Sequence, residues 1–236
     1  MKKRIVIESG KQVLSAAMLV MMLGIGFILL EPTVSRSQIN DDFTVTQTIN
    51  TALAFLVNPN DVDMDASIDG LTGGSAYGTT TTRIRTNNAA GYTMTIQFSS
   101  TTAMIRNGGG GRINNYLYST GTASYPTGFD VTPVNAQFGF TVNASTTADI
   151  STVFTDNGAG VCGTGNNGNF TFANCWRGAS STDETFETEL LNTSGPTAAS
   201  GSTSTIHFRV TLPPNPTPAV PNGTYVATAT LTATEN

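Results

Sequence analysis

The sequence lacks lysine beyond its first eleven residues. Lys2, Lys3 and Lys11 are the only lysines among 236 residues, and the chain has one histidine, one tryptophan and two cysteines. From Gln38 onward, six arginines stand against fourteen aspartates and glutamates, which leaves a net charge of −8. This charge argues against a nucleic-acid partner, which needs a positive footprint, and against docking on anionic membranes by charge.

The scarcity of histidine and cysteine also restricts catalysis. His207 lies within a predicted strand, and no serine or cysteine motif assigns it a partner for nucleophilic catalysis. The two cysteines do not form a Cys-x-x-Cys redox motif, and a zinc site would have only His207 as a further soft ligand. We therefore predict a protein that is not an enzyme and that has no firm cofactor.

An uncharged run, Val13 to Leu30, follows a basic start and is typical of an export signal. As a helix, its 18 residues span about 27 Å, which is close to the thickness of a bilayer's hydrocarbon core. A prepilin-type leader cut after Gly10 is an alternative. Type IV pilins resemble this start, but they carry Glu at the fifth mature position, where this chain has Ser15.

We predict that residues 1–37 are a signal peptide or an N-terminal membrane anchor and that residues 38–236 are one exported domain. Cleavage after Ser35 or Ser37 would release that domain to the cell exterior. Without cleavage, residues 13–30 are the only membrane attachment that the sequence predicts.

Threonine dominates the exported part, and apolar residues alternate with polar ones, as in half-buried strands. The strongest predicted strands are 43–49, 92–98, 205–212 and 224–234. Weaker candidates are 52–57, 62–68, 79–86, 136–142 and 170–173.

The connections contain turn-forming residues. Asn87 to Gly91 predicts a hairpin turn with a residue at positive φ, and five prolines between 213 and 221 predict an extended arm. Long loops are expected near 107–125 and 156–204. The predicted fold is all-β: a single sandwich, jelly-roll or immunoglobulin-like, preceded by an N-terminal hydrophobic helix.

The ending VTLPPNPTPAVPNGTYVATATLTAT resembles the closing hairpin of WxL-type surface domains of bacteria, in which a Pro-rich arm precedes a Thr-rich last strand. The resemblance covers about 30 residues and implies a β-sandwich at the cell surface. The Trp-x-Leu signature is absent, since the only tryptophan lies in Cys175-Trp176-Arg177. The resemblance therefore implies nothing about wall binding.

Three sets of residues are candidate sites. Cys162 and Cys175 are predicted to form a disulfide, because both follow the export signal. Asp side chains at alternate positions resemble the start of a calcium loop, although the interleaved apolar residues favour the solvated face of a strand: Asp61, Asp63, Asp65 and Asp69. Aromatic residues beside a Gly-rich loop are candidates for stacking on sugar rings, or for packing against their own sheet: Tyr116, Tyr118 and Tyr125.

The sequence thus predicts a non-enzymatic surface protein for adhesion or envelope structure, whose partner is an envelope component, a glycan or another copy of itself. One alternative is a filament subunit, in which the segment Ser37–Asn50 adds to the sheet edge of a neighbour. The other alternative is a carbohydrate-binding module.

Overall fold

A computed structural model describes residues 14–23, 42–116, 135–155, 162, 175–179 and 187–236. The chain divides into two units, Met1–Thr48 and Ile49–Asn236. In the first unit, residues 14–23 are helical and exposed, and residues 24–30 of the predicted apolar helix lie outside the described residues. Nowhere in the described ranges is a helix both long and apolar enough to cross a membrane.

The predicted strand at 43–49 is wrong. Residues 42–50 belong to no strand, and Phe43, Val45 and Ile49 are 87%, 81% and 81% exposed. Alternation of apolar residues marks a segment that is able to form a strand, but the strand itself exists only where a neighbouring strand accepts its hydrogen bonds. This segment has the pattern of a strand without the pairing.

The second unit is mostly β, in agreement with the predicted all-β class. Its described residues contain ten strands: β1 (Leu53–Val57), β2 (Gly74–Thr86), β3 (Tyr92–Phe98), β4 (Met104–Arg106), β5 (Arg112–Asn115), β6 (Gln137–Ala144), β7 (Glu187–Asn192), β8 (Ser202–Leu212), β9 (Tyr225–Val226) and β10 (Ala229–Glu235). Two short 3-10 helices, Thr147–Asp149 and Thr152–Phe154, follow β6.

The strands form two sheets that share one buried cluster. The larger sheet has the order β1-β2-β8-β6-β5-β4-β9, and the smaller sheet has the order β10-β3-β7. All pairs are antiparallel except β5 with β6. The ring of Phe98 from β3 lies 5.8 Å from that of Phe138 and 5.3 Å from that of Phe140, both from β6. Side chains of both sheets therefore exclude water from the same core.

The predicted hairpin at Asn87–Gly91 is wrong, although its positive φ is confirmed at Gly91 (+85°). β2 pairs with β1 and β8, whereas β3 pairs with β10 and β7, so the turn joins two sheets. Turn chemistry dictates a change of direction, but it does not dictate which strands then pair.

The loop predicted for 156–204 contains strand β7, which the alternation pattern missed. Leu190 and Leu191 are consecutive and yet both buried, at 0% and 1% exposure. A register shift opposite Met94 and Thr95 produces this, because a bulge turns two successive side chains to one face. The loop predicted for 107–125 likewise contains β5, whose Ile113 is buried.

Candidate functional site: an open groove beside strand β10

A groove of about 760 Å³ lies beside the start of β10 and is lined by residues of both sheets. Its floor is formed by apolar side chains from both sheets: Ile96, Phe98, Phe138, Ile206 and Phe208. Native interiors have few voids larger than a water molecule. An opening of this size over the core is therefore a surface that a further chain segment can fill.

The first wall of the groove is the irregular segment 59–64, which follows β1. It continues along the side of β2 opposite to β8, beyond the end of β1. Two hydrogen bonds hold it there: Asn60 N donates to Thr80 Oγ1 (2.8 Å), and Asp65 N donates to the carbonyl of Tyr77 (2.8 Å). The predicted strand at 62–68 is wrong, since no regular ladder forms, but the predicted alternation is present. Val62 and Met64 are half-buried, whereas Asp61, Asp63 and Asp65 are exposed.

Gly78 allows this wall to lie directly on β2. A Cβ at position 78 would overlap Cγ1 of Val62 and would lie 3.0 Å from Sδ of Met64. Gly78 precedes three threonines, Thr79 to Thr81. A glycine within such a strand is a sequence signal that another segment packs closely against the backbone, and the sequence-based predictions missed it.

The second wall is formed by residues 224–229 and Leu231, around β9 and the start of β10. Tyr225 Oη donates to the carbonyl of Pro221 (2.6 Å), and Arg106 Nε donates to the carbonyl of Asn222 (2.8 Å). Burial raises the pKa of Tyr225, and the charge of Arg106 opposes that shift. These bonds fix the Pro-rich arm and with it the start of the wall.

Strand β10 is an edge strand. In the described part of the chain, β10 pairs only with β3, through residues Ala229 to Glu235. Ala229 and Leu231 of β10 line the groove, and the edge of β10 that does not pair with β3 is a template for a further strand. The arrangement is thus suited to binding an extended peptide with alternating apolar residues.

The four aspartates of the predicted calcium site are not gathered. Asp65 Oδ1 accepts from Tyr77 N (2.7 Å), and Asp69 Oδ1 accepts from Leu71 N (2.7 Å) and Thr72 N (2.9 Å). The backbone bonds from Thr72 and Leu71 lower the pKa of Asp69. Among the described residues, no group of three or more His, Cys, Asp or Glu side chains can hold a metal ion.

Of the tyrosines considered for sugar stacking, the structure describes Tyr116 alone. Tyr116 is 3% exposed and lies with Trp176 in a small buried cluster, so its ring is withdrawn from any ligand. Tyr118 and Tyr125 lie outside the described residues.

The disulfide between Cys162 and Cys175 is confirmed, with the two Cα atoms 5.7 Å apart. Beyond Cys175, Arg177 forms a bridge with Phe140, in which each N–H donates to the other's carbonyl (2.8 Å). The crosslink therefore ends next to the core strand β6.

His207 lies in β8 between Thr79 of β2 and Thr141 of β6, where burial lowers its pKa. Because the unfolded chain binds a proton near pH 6.5 and the folded chain does so only at lower pH, stability falls as the pH decreases from 7. We expect a lower free energy of unfolding at pH 5.5 than at pH 7, measured by urea denaturation.

The variant His207→Gln tests this assignment. His207 is the only histidine of the chain, so Gln should remove the difference between pH 5.5 and pH 7. An unchanged difference in the variant would assign the pH dependence to other groups.

Comparison with known proteins gives no relative: no family model, no curated protein and no solved structure matches this chain.

Proposed function

We propose that this chain is an exported, non-enzymatic surface protein whose role is structural or adhesive. The observation that carries the proposal is the groove, in which an apolar floor lies beside the free edge of β10. Backbone hydrogen bonds and apolar pockets recognise polypeptide strands. The proposal thus assigns the groove to the binding of another chain.

The proposed architecture is a β-sandwich of two unequal sheets. The shared cluster and the ring contacts of Phe98 with Phe138 and Phe140 support it. The predicted jelly-roll and immunoglobulin-like topologies both place strands that are distant in sequence side by side, as β2, β8 and β6 are here. The resemblance to WxL-type surface domains also implies a β-sandwich.

Export is supported by the basic, then apolar, start of the chain and by the disulfide. Disulfides persist in oxidising compartments and are rare in the cytosol. Attachment to a membrane through residues 13–30 is part of the proposal for the uncleaved form.

Mass spectrometry of the protein recovered from the cells that produce it tests the proposal. We expect a surface or medium fraction that protease reaches in intact cells, with Cys162 and Cys175 joined before any reducing agent is added. The N-terminus of this fraction distinguishes cleavage after Ser35 or Ser37 from a retained anchor. Recovery only from the cytosol, with both thiols reduced, would contradict the proposal.

A further inference from the structure

We infer that the groove binds residues 43–49 of a second copy of this chain, as an added strand along β10. The inference rests on the proposed function as a structural surface protein, and it names the partner and the contacting segment. Strand addition to a free sheet edge supplies backbone hydrogen bonds, and alternate side chains then enter the groove.

The segment 43–49 has the side chains that such a strand requires. Phe43, Val45 and Ile49 lie on one side of an extended chain, and all three are more than 80% exposed. Thr44, Thr46 and Thr48 would then face solvent. Seven residues in extended form span about 20 Å. Burial of the exposed apolar side chains of this segment would be favourable, because it removes apolar surface from water.

The groove has the complementary features. Its floor is buried except at Phe208, which is partly exposed, and Met64 and Leu231 add further partly exposed apolar side chains. Beside them, β10 offers its free backbone edge. Both requirements for strand addition therefore occur at one place.

The connection to β1 favours a second copy over the same copy. The lining of the groove begins at Pro59, two residues after the end of β1, whereas the segment precedes the start of β1. There, Asn87 bonds the carbonyl of Asn50 (3.0 Å) and the N–H of Ala52 (2.6 Å), and Thr51 Oγ1 bonds Glu235 Oε2 (2.8 Å). Insertion into the same copy would require the chain to reverse direction where these bonds hold it.

Cysteine crosslinking of the full-length chain in detergent tests the inference. Two variants, Val45→Cys and Ala229→Cys, are given tags of different size, mixed and oxidised. The described residues contain no free cysteine, and the native pair is already joined. We expect a mixed dimer between the two tagged chains, at a yield at least about tenfold above that of Thr46→Cys with Ala229→Cys, since position 46 faces away from the groove.

A second measurement uses assembly. Val45→Asp should weaken self-association, followed by light scattering, at least about tenfold, whereas Thr46→Asp should leave it within about twofold. The two variants carry the same charge on opposite faces of one segment, and neither position lies in a strand of the folded unit.

A chain that carries both Val45→Cys and Ala229→Cys tests insertion into the same copy. Three results would overturn the inference: a crosslink within that one chain, a strictly monomeric full-length protein, or equal effects of the two aspartates. None of them would affect the proposed function, because export and the oxidised cysteine pair are measured independently of assembly. Conversely, a reduced cytosolic protein with a mixed dimer would contradict the proposed function alone.

Discussion

Replacing Gly91 by alanine is expected to lower the free energy of unfolding by about 4 kcal/mol. Two costs combine at this position. Gly91 has a φ of +85°, where a side chain costs about 1 kcal/mol or more. An added Cβ would also overlap the carbonyl oxygen of Thr193 and lie 2.5 Å from its Oγ1.

The second cost is large because the obstacle is fixed backbone. Thr193 N donates to the carbonyl of Tyr92 (2.9 Å), and Tyr92 N donates to Thr193 Oγ1 (2.8 Å). Relief of the overlap would break this pair, which holds β3 against the end of β7.

Gly109→Ala is the matched control. Gly109 has the same φ of +85°, but nothing lies within 4 Å of a Cβ built there. We expect a loss of about 1 kcal/mol in this variant, from backbone strain alone. Urea denaturation of both variants checks the prediction, and equal losses would show that the contact with Thr193 has no role.

Replacing Phe140 by alanine is expected to cost about 4 kcal/mol, the usual magnitude for a buried phenylalanine. Phe140 is 1% exposed, and its ring lies 5.3 Å from that of Phe98 and 5.7 Å from that of Phe154. The truncation would leave a cavity where the larger sheet contacts both the smaller sheet and the 3-10 helix after β6.

Leu71→Ala provides the control for this prediction. Leu71 is 73% exposed, so the loss of its side chain should change the free energy of unfolding by less than about 0.5 kcal/mol. The denaturation midpoints of the two variants give the difference in their free energies of unfolding, provided that both have the same dependence on denaturant concentration. A small loss at Phe140 would mean that the cluster around it collapses to fill the space.

The sequence predicted strands well wherever one face of the strand is buried and the other face is exposed to solvent. Ile206, Val210 and Leu212 of β8 and Met94, Ile96 and Phe98 of β3 follow a strict alternation, and the structure places all six in the core. The pattern failed at Leu190 and Leu191, because a bulge there breaks the period of two. It failed at Phe43 and Val45 for the opposite reason, since the period is present without a neighbouring strand.

Local sequence patterns did not predict which strands pair. The turn at Asn87 to Gly91 has hairpin chemistry and yet joins two sheets, because β1 and β8 already pair with β2. The groove was also not predicted, since its walls, residues 59–64 and 224–229, are distant in the sequence. The disulfide, by contrast, followed from residue type and from the predicted export.

The bond between Thr51 and Glu235 places the two ends of the β unit at the same end of the molecule. Tension applied between Ile49 and Asn236 would therefore pull β1 and β10 sideways from their neighbours and open one hydrogen bond at a time. Strands loaded in this way unzip at low force, whereas strands loaded along their length resist together. In the proposed assembly, load would leave the donating unit through Ile49, and the strand donated along β10 would replace Asn236 as the point of attachment on the receiving unit.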